Sequence, residues 1–179
     1  MHRKKTTSEL EAERQADGLK RPRFPVTIVL DQVRSGLNVG SIFRSADAFH
    51  MQEIVCCGIT PVPPQREVLK SALGSTETVP WRYMDSALDC VLELRRRGVQ
   101  CWAIEQAANS VKLHDLVWDQ STPYACVFGN EVDGVHQDVI DACHGVIEID
   151  QFGTKHSLNV AVSAGLIMHN LALGIQPII

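Results

Sequence analysis

Three short segments break the hydrophobic patterning around them, and such breaks are where a chain tends to place chemistry. The first runs Asn38-Val39-Gly40-Ser41-Ile42-Phe43-Arg44-Ser45-Ala46. On a helical wheel Arg44 falls about 140° from Val39, off the apolar stripe and near Ser41. Asn38 lies at the start of that helix, where its amide either caps the backbone or faces a ligand. The second, Val127-Phe128-Gly129-Asn130-Glu131-Val132-Asp133-Gly134, directly follows a run of strand formers. Its glycines bracket Glu131 and Asp133 at what becomes the C-terminal edge of a parallel sheet, where α/β folds bind ligands. The pattern is neither a dinucleotide fingerprint nor a phosphate loop, since no Gly-Lys-Ser/Thr follows. Acids there repel phosphate; they suit a ligand with hydroxyls or a cationic centre. The third, Ile149-Asp150-Gln151-Phe152-Gly153-Thr154-Lys155-His156-Ser157-Leu158-Asn159-Val160, is a polar loop entering the most hydrophobic helix of the chain. Ser157 is positioned to cap that helix. Asn159, one turn in, reads as a buried amide that costs about 1–3 kcal/mol unless it finds partners.

Alternating strands and helices must hold these segments. Residues 25–30 are rich in β-branched side chains and open with Pro25, which predicts a strand. Residues 37–49 predict a helix, with Val39, Ile42, Phe43, Ala46 and Phe49 on one face. Strands follow at 53–57, 99–104, 124–128 and 146–149, and a short helix at 67–73 after the proline-rich turn 60–64. Residues 85–97 predict a helix ending in Arg95-Arg96-Arg97 and closed by Gly98. Cations there complement the helix dipole, although the triplet could also touch RNA. Residues 158–173 predict a helix apolar nearly all round, hence largely buried, stopped by Gly174 and Pro177. Strand–helix alternation means an α/β fold, with helices on both faces of a mostly parallel sheet.

Composition narrows the class. The chain has 179 residues, 45% of them apolar and 21% charged, enough for one folded domain. No apolar run approaches the ~18 residues of a membrane span, and no secretory h-region is visible, so a soluble cytoplasmic protein is expected. None of the six cysteines is spaced as C-x-x-C, and the seven histidines form no cluster with carboxylates. Small hydrophobes in a reduced cytosol are the expected role of the cysteines, and no catalytic metal is expected. Residues 1–24 form a polar arm of net charge +3, ahead of a body at 25–179 of net charge −7. Such an arm either touches phosphate locally or is a solvated tail.

Taken together, Asn38-x-Gly40-x-x-x-Arg44-x-Ala46, Gly129-x-Glu131-x-x-Gly134, and Gly153 with Ser157-Leu158-Asn159-Val160 resemble the three signature motifs of SPOUT-superfamily RNA methyltransferases of SpoU/TrmH type. Order and spacing match over residues 25–174, nearly the whole body. The resemblance implies a C-terminal trefoil knot made by the loops at 129–134 and 150–157, an exception to the usual unknotted topology. It implies S-adenosylmethionine as cofactor, a homodimer that completes the active site, and methylation of a ribose 2′-OH in structured RNA.

On that resemblance Arg44, Asn38, Glu131, Ser157 and Asn159 form the catalytic group. Phe128, Gly129, Asn130, Glu131, Gly134, Ile149, Gln151, Ser157 and Leu158 hold the cofactor. Arg44 aligns with an arginine proposed to help deprotonate the hydroxyl. A guanidinium, always charged near neutral pH, equally suits orienting the hydroxyl and stabilising a developing alkoxide. The chain departs from the family at Asp150-Gln151, where members commonly carry Pro-Met. With the short arm as its only extension, tRNA is expected ahead of rRNA. Two alternatives stay open: methylation of a base, and an inactive RNA- or nucleotide-binding module on the same fold.

Overall fold

The computed structural model describes residues 2–17 and 22–175. The arm contains a helix. Helix α1 spans Thr7–Asp17 and opens with a reciprocal cap. The Thr6 hydroxyl accepts from the Glu9 amide at 3.3 Å, and the Glu9 carboxylate accepts from the Thr6 amide at 2.7 Å. Arg3 lies 2.7 Å from Glu9, and Lys5 2.6 Å from Glu13. The Arg3 guanidinium and the Thr6 donors pull the Glu9 carboxyl down to about 2. Two of the arm's cations are thus spent on its own acids. Lys20 and Arg21 lie outside the described residues, as does Pro177.

The body follows the predicted alternation. In chain order it runs β1 (Phe24–Asp31), α2 (Gly36–Ala48), β2 (Met51–Cys57), α3 (Arg66–Ala72), α4 (Ser75–Thr78), β3 (Trp81–Met84) and α5 (Ala87–Arg96). It continues with β4 (Gln100–Ile104), β5 (Val111–Lys112), β6 (Tyr124–Phe128), α6 (Gln137–Ala142), β7 (Gly145–Glu148) and α7 (Val160–Gly174). The seven strands form one sheet in the order β3-β2-β1-β6-β4-β7-β5, and every pairing between them is parallel. β3, β5, α1, α4 and α6 are too short or too polar to show a period and were not expected from the sequence.

Alternation along β1 sorts the core into two halves. Val26, Ile28 and Leu30 point to the layer containing α2, α3 and α7, where Ile42, Phe43, Val68, Ile167 and Met168 are buried. Val29 faces the opposite layer, with Cys90, Val91 and Leu94 of α5 and Val139 of α6. All six cysteines are free thiols, five of them buried. Burial pushes the thiols of Cys56 and Cys101 up to about 12, so they stay protonated and pack as small hydrophobes. The Arg95–Arg97 triplet does close α5: Arg95 donates to the Ala142 carbonyl and Arg97 lies 3.5 Å from Glu93.

Two features position the first motif. Ser35 caps α2, its hydroxyl accepting from the Asn38 amide N–H at 3.3 Å, which frees the Asn38 side chain to reach elsewhere. Gly40 lets α3 ride directly on α2: a Cβ there would stand 2.2 Å from the Val68 carbonyl oxygen.

The last helix differs from expectation. It starts at Val160, its cap is Asn159 rather than Ser157, and Asn159 is exposed rather than buried. Nor is the helix largely covered. Ala164, Ile167, Met168 and Leu171 are buried, while Val162 (51%), Leu166 (43%) and Leu173 (76%) remain open to solvent. α7 lays one face on the core, so the remaining apolar side chains of this helix stay open.

Candidate active site

β4, β6 and β7 end side by side, and the loops leaving them turn over a cleft of about 770 Å³. This is the carboxyl edge of the sheet, close to where the strand order reverses direction from β1 to β6. Ile104, Phe128, Ile149 and Leu158 give the cleft apolar walls, and Glu105, Glu131 and Asp133 give it an acidic rim.

The loop after β6 is shaped by its own polar groups. Asn130 is buried, and its side-chain oxygen accepts from the amides of Val132 and Asp133, both at 2.8 Å. Backbone bonds of 3.1 Å run both ways between Asn130 and Gly134, drawing the loop closed. The two ends come so near that a Cβ on Gly129 would stand 1.9 Å from the Gly134 carbonyl carbon. Glycine is required at that crossing for space alone.

This folding presents Glu131 to α2. Its carboxylate accepts from the backbone N–H of Arg34 at 3.0 Å, that of Ser35 at 3.2 Å, and the Asn38 side-chain amide at 2.8 Å. Partial burial alone would raise the Glu131 pKa; the Arg34 amide, the Asn38 side chain and the Ser35 amide outweigh it and hold the group below the usual carboxylate range. The relay continues. The Asn38 side-chain oxygen accepts from Asn159 Nδ2 at 3.1 Å, and Asn159 Oδ1 accepts from the Ala161 and Val162 amides of α7 at 2.9 and 3.4 Å. One carboxylate and two amides thereby bond all three sequence segments together.

The third segment has no regular structure between β7 and α7, yet it is tied at both ends. Asp150 turns out of the cleft to His114 at 2.6 Å and Lys112 at 3.5 Å. Gln106 donates to the His156 carbonyl at 2.5 Å. Of the pair that departs from the family pattern, Asp150 is therefore an outward anchor, whereas Gln151 lines the cleft.

Phe128, Gly129, Asn130, Glu131, Gly134, Ile149, Gln151, Ser157 and Leu158 all line this one cleft, and Asn159 lines it too. Asn38 reaches its edge through Glu131 and Asn159. Arg44 is apart: it is exposed on α2, under two turns or about 9 Å along the axis from Asn38, and does not line the cleft. Sequence reasoning missed Glu105, whose carboxylate accepts from the Val135 amide at 3.1 Å and fixes the far end of the glycine loop. An acid directly after a strand, at the sheet's ligand-binding edge, was the available signal. It also missed buried Asp31, which accepts from the His136 amide at 3.0 Å. Among the described residues no group of three or more His, Cys, Asp or Glu is arranged to hold a metal ion.

The SpoU rRNA Methylase family matches residues 25–169, most of the chain. The chain belongs to this family. Its relatives include the 23S rRNA (guanosine-2′-O-)-methyltransferase RlmB of Nitrosomonas europaea, 33% identical over 150 residues, which are 84% of this chain and 56% of that protein. RlmB of Neisseria meningitidis serogroup B is 29% identical over 144 residues, 80% of this chain and 56% of the relative. This SpoU chain thus spans little more than half the length of those relatives. Among solved structures it resembles an AdoMet-bound rRNA methyltransferase from Sinorhizobium meliloti, with a TM-score of 0.76 and 28% identity over 85% of this chain and 56% of that one. The A. aeolicus TrmH/SpoU tRNA modifying enzyme shares the fold, with a TM-score of 0.79 and 24% identity over 94% of this chain and 84% of that one.

Because Glu131 is held ionised by donors that exist only in the folded chain, its contribution to stability is present above the unfolded carboxyl pKa of about 4.5 and is lost as pH falls through the lower folded value. Thermal melting below about pH 4.5 should therefore steepen for wild type relative to Glu131→Gln. Parallel acid profiles for the two proteins would contradict that account.

Proposed function

We propose that the chain is an S-adenosylmethionine-dependent RNA methyltransferase acting on a ribose 2′-OH, in rRNA ahead of tRNA. The observation that carries this reading is the Glu131–Asn38–Asn159 relay at the edge of the cleft, which joins the three motifs into one constellation. The cleft suits the cofactor chemically: apolar walls for an adenosine, backbone polar groups at the glycine crossing, and acids facing a sulfonium cation. Phe128, Gly129, Asn130, Gly134, Ile149, Gln151, Ser157 and Leu158 would hold it. When bound, it supplies a methyl group already activated by a cationic leaving group.

The chain's own task is then the hydroxyl, whose pKa lies far above neutrality. Arg44 is the group proposed to orient it and to stabilise the developing alkoxide; a guanidinium holds its proton too firmly to be a good base at pH 7. Glu131 orients Asn38, and Asn38 and Asn159 fix the geometry between α2 and α7. Among the described residues no cysteine lines the cleft, which disfavours a thiolate-dependent route to carbon methylation of a base.

Arg44 shares its exposed side of α2 with Leu37, and α7 beside it leaves Val162 and Leu166 open. A second copy of the chain covering this face would bury the apolar surface and complete the site with Arg44, so the proposed assembly is a homodimer. The trefoil knot of the family, at 129–134 and 150–157, belongs to the same proposal, as does action in the cytoplasm. The shortness of the polar arm predicts tRNA ahead of rRNA. Two of its cations are internally paired, and the named relatives act on 23S rRNA guanosine, so rRNA now comes first. Arg23, pinned to the Met51 and Thr78 carbonyls, marks where the body begins.

Nucleoside mass spectrometry of rRNA and tRNA from a strain lacking the protein tests the reaction. One 2′-O-methylated nucleotide should vanish and return with wild type but not with Arg44→Ala, while Arg44→Ala binds S-adenosylhomocysteine within a few-fold of wild type. An unchanged methylation profile, or a methylated base in place of a ribose, would overturn the reading. Light scattering should return about twice 19.8 kDa at micromolar concentration; a monomer would remove the dimer from the proposal.

A further inference from the structure

The segment between β7 and α7 carries a side chain that the cleft does not use. Phe152 is 97% exposed, the most exposed large hydrophobic residue among those described. Its immediate neighbour Gln151 lines the cleft, as does Ser157 at the other end of the loop. Around Gly153 there is open space, with nothing within 4 Å of where a Cβ would stand, and Lys155 two residues further is exposed as well. The loop is not loose at its base: Asp150 is held by His114 at 2.6 Å and Lys112 at 3.5 Å, and the His156 carbonyl by Gln106 at 2.5 Å. An exposed aromatic ring and an exposed cation therefore stand on one anchored loop whose two ends, Gln151 and Ser157, line the cleft.

A solvent-facing aromatic and a lysine on one loop are the chemistry that reads unstacked nucleotides: every base has a face to stack, and a nearby phosphate accepts from the ammonium. We propose that Phe152 stacks on an unpaired RNA base next to the methylated nucleotide, with Lys155 contacting its phosphate. This rests on the RNA methyltransferase reading and makes the tip of the loop a substrate-positioning element, distinct from the cofactor-holding residues at its base. It selects single-stranded or bulged RNA over continuous duplex, because only an unstacked base offers its face. The proposed dimer face is carried by other side chains, Leu37, Val162 and Leu166.

The test uses the full chain and unmethylated rRNA from a strain lacking the protein. Phe152→Ala should weaken RNA binding about 5- to 100-fold, the range for losing one base–aromatic stack. Phe152→Trp should restore it and Phe152→Leu should not, since leucine keeps the apolar surface but loses the ring. S-adenosylhomocysteine affinity and the mass in light scattering should be those of wild type in all three variants. Lys155→Gln should weaken binding less and lower the salt slope by about 0.7–0.9. Equal RNA affinity for wild type and Phe152→Ala overturns the stacking alone. Lost cofactor affinity assigns the ring to the cofactor site, and a lost dimer assigns it to the partner copy; either overturns it. Wild type that binds S-adenosylhomocysteine but no RNA overturns the methyltransferase reading together with it.

Discussion

The site depends on where one carboxylate finds its donors. Glu131 lies on a loop after β6, and three N–H groups that bond it come from the entry and first turn of α2. A charge-assisted bond of this kind is stronger than a neutral one, and the group that makes three of them fixes the loop against the helix. Asn38 then acts as a two-sided connector, donating to Glu131 and accepting from Asn159. Asn159 passes the connection into the first turn of α7 by accepting two backbone amides there. Removing Glu131 would leave the donors at the start of α2 to water and loosen Asn38 from both neighbours.

The rest of the fold can be understood as support for that relay. The parallel sheet brings the ends of β4, β6 and β7 together, so that the loops leaving them wall a single cleft. Ser35 takes over the capping of α2, and only for that reason is the Asn38 amide free to point across. Gly40 admits α3 against the back of α2, and Gly129 admits the return of its own loop. Both glycines are cases of space rather than of unusual torsion. The His114–Asp150–Lys112 contacts hold the third segment from outside, by side chains rather than by a ring in the backbone.

The fold class and five of the seven strands were legible because buried parallel strands are continuous apolar runs, and 25–30 and 124–128 have few other readings. β3 and β5 were not: Trp81–Met84 and Val111–Lys112 are short edge strands whose pairing is decided by neighbours distant in sequence. The helix α1 had a local signal, Thr6 and Glu9 at capping-box spacing, hidden by the arm's charge. At the site, the cleft-lining residues followed from the motifs, but the bonding among them did not. The apolar residues after Asn159 predict it buried within a helix; it is the cap, and its exposure follows from standing outside the first turn. Glu105, Asp31 and His136 act across the sheet's edge, where one sequence has no period to show.

The central claim is that Glu131, Asn38 and Asn159 work as one unit. A double-mutant cycle on Asn38→Ala and Glu131→Ala, read as kcat/KM for methyl transfer to RNA, addresses it most directly. Because either substitution breaks the same connection, the double variant should be no worse than the poorer single variant by more than about threefold, a coupling of about 1–3 kcal/mol. Losses that multiply, each residue costing its full amount in the absence of the other, would mean that the two side chains act independently and that the relay is not what builds the site.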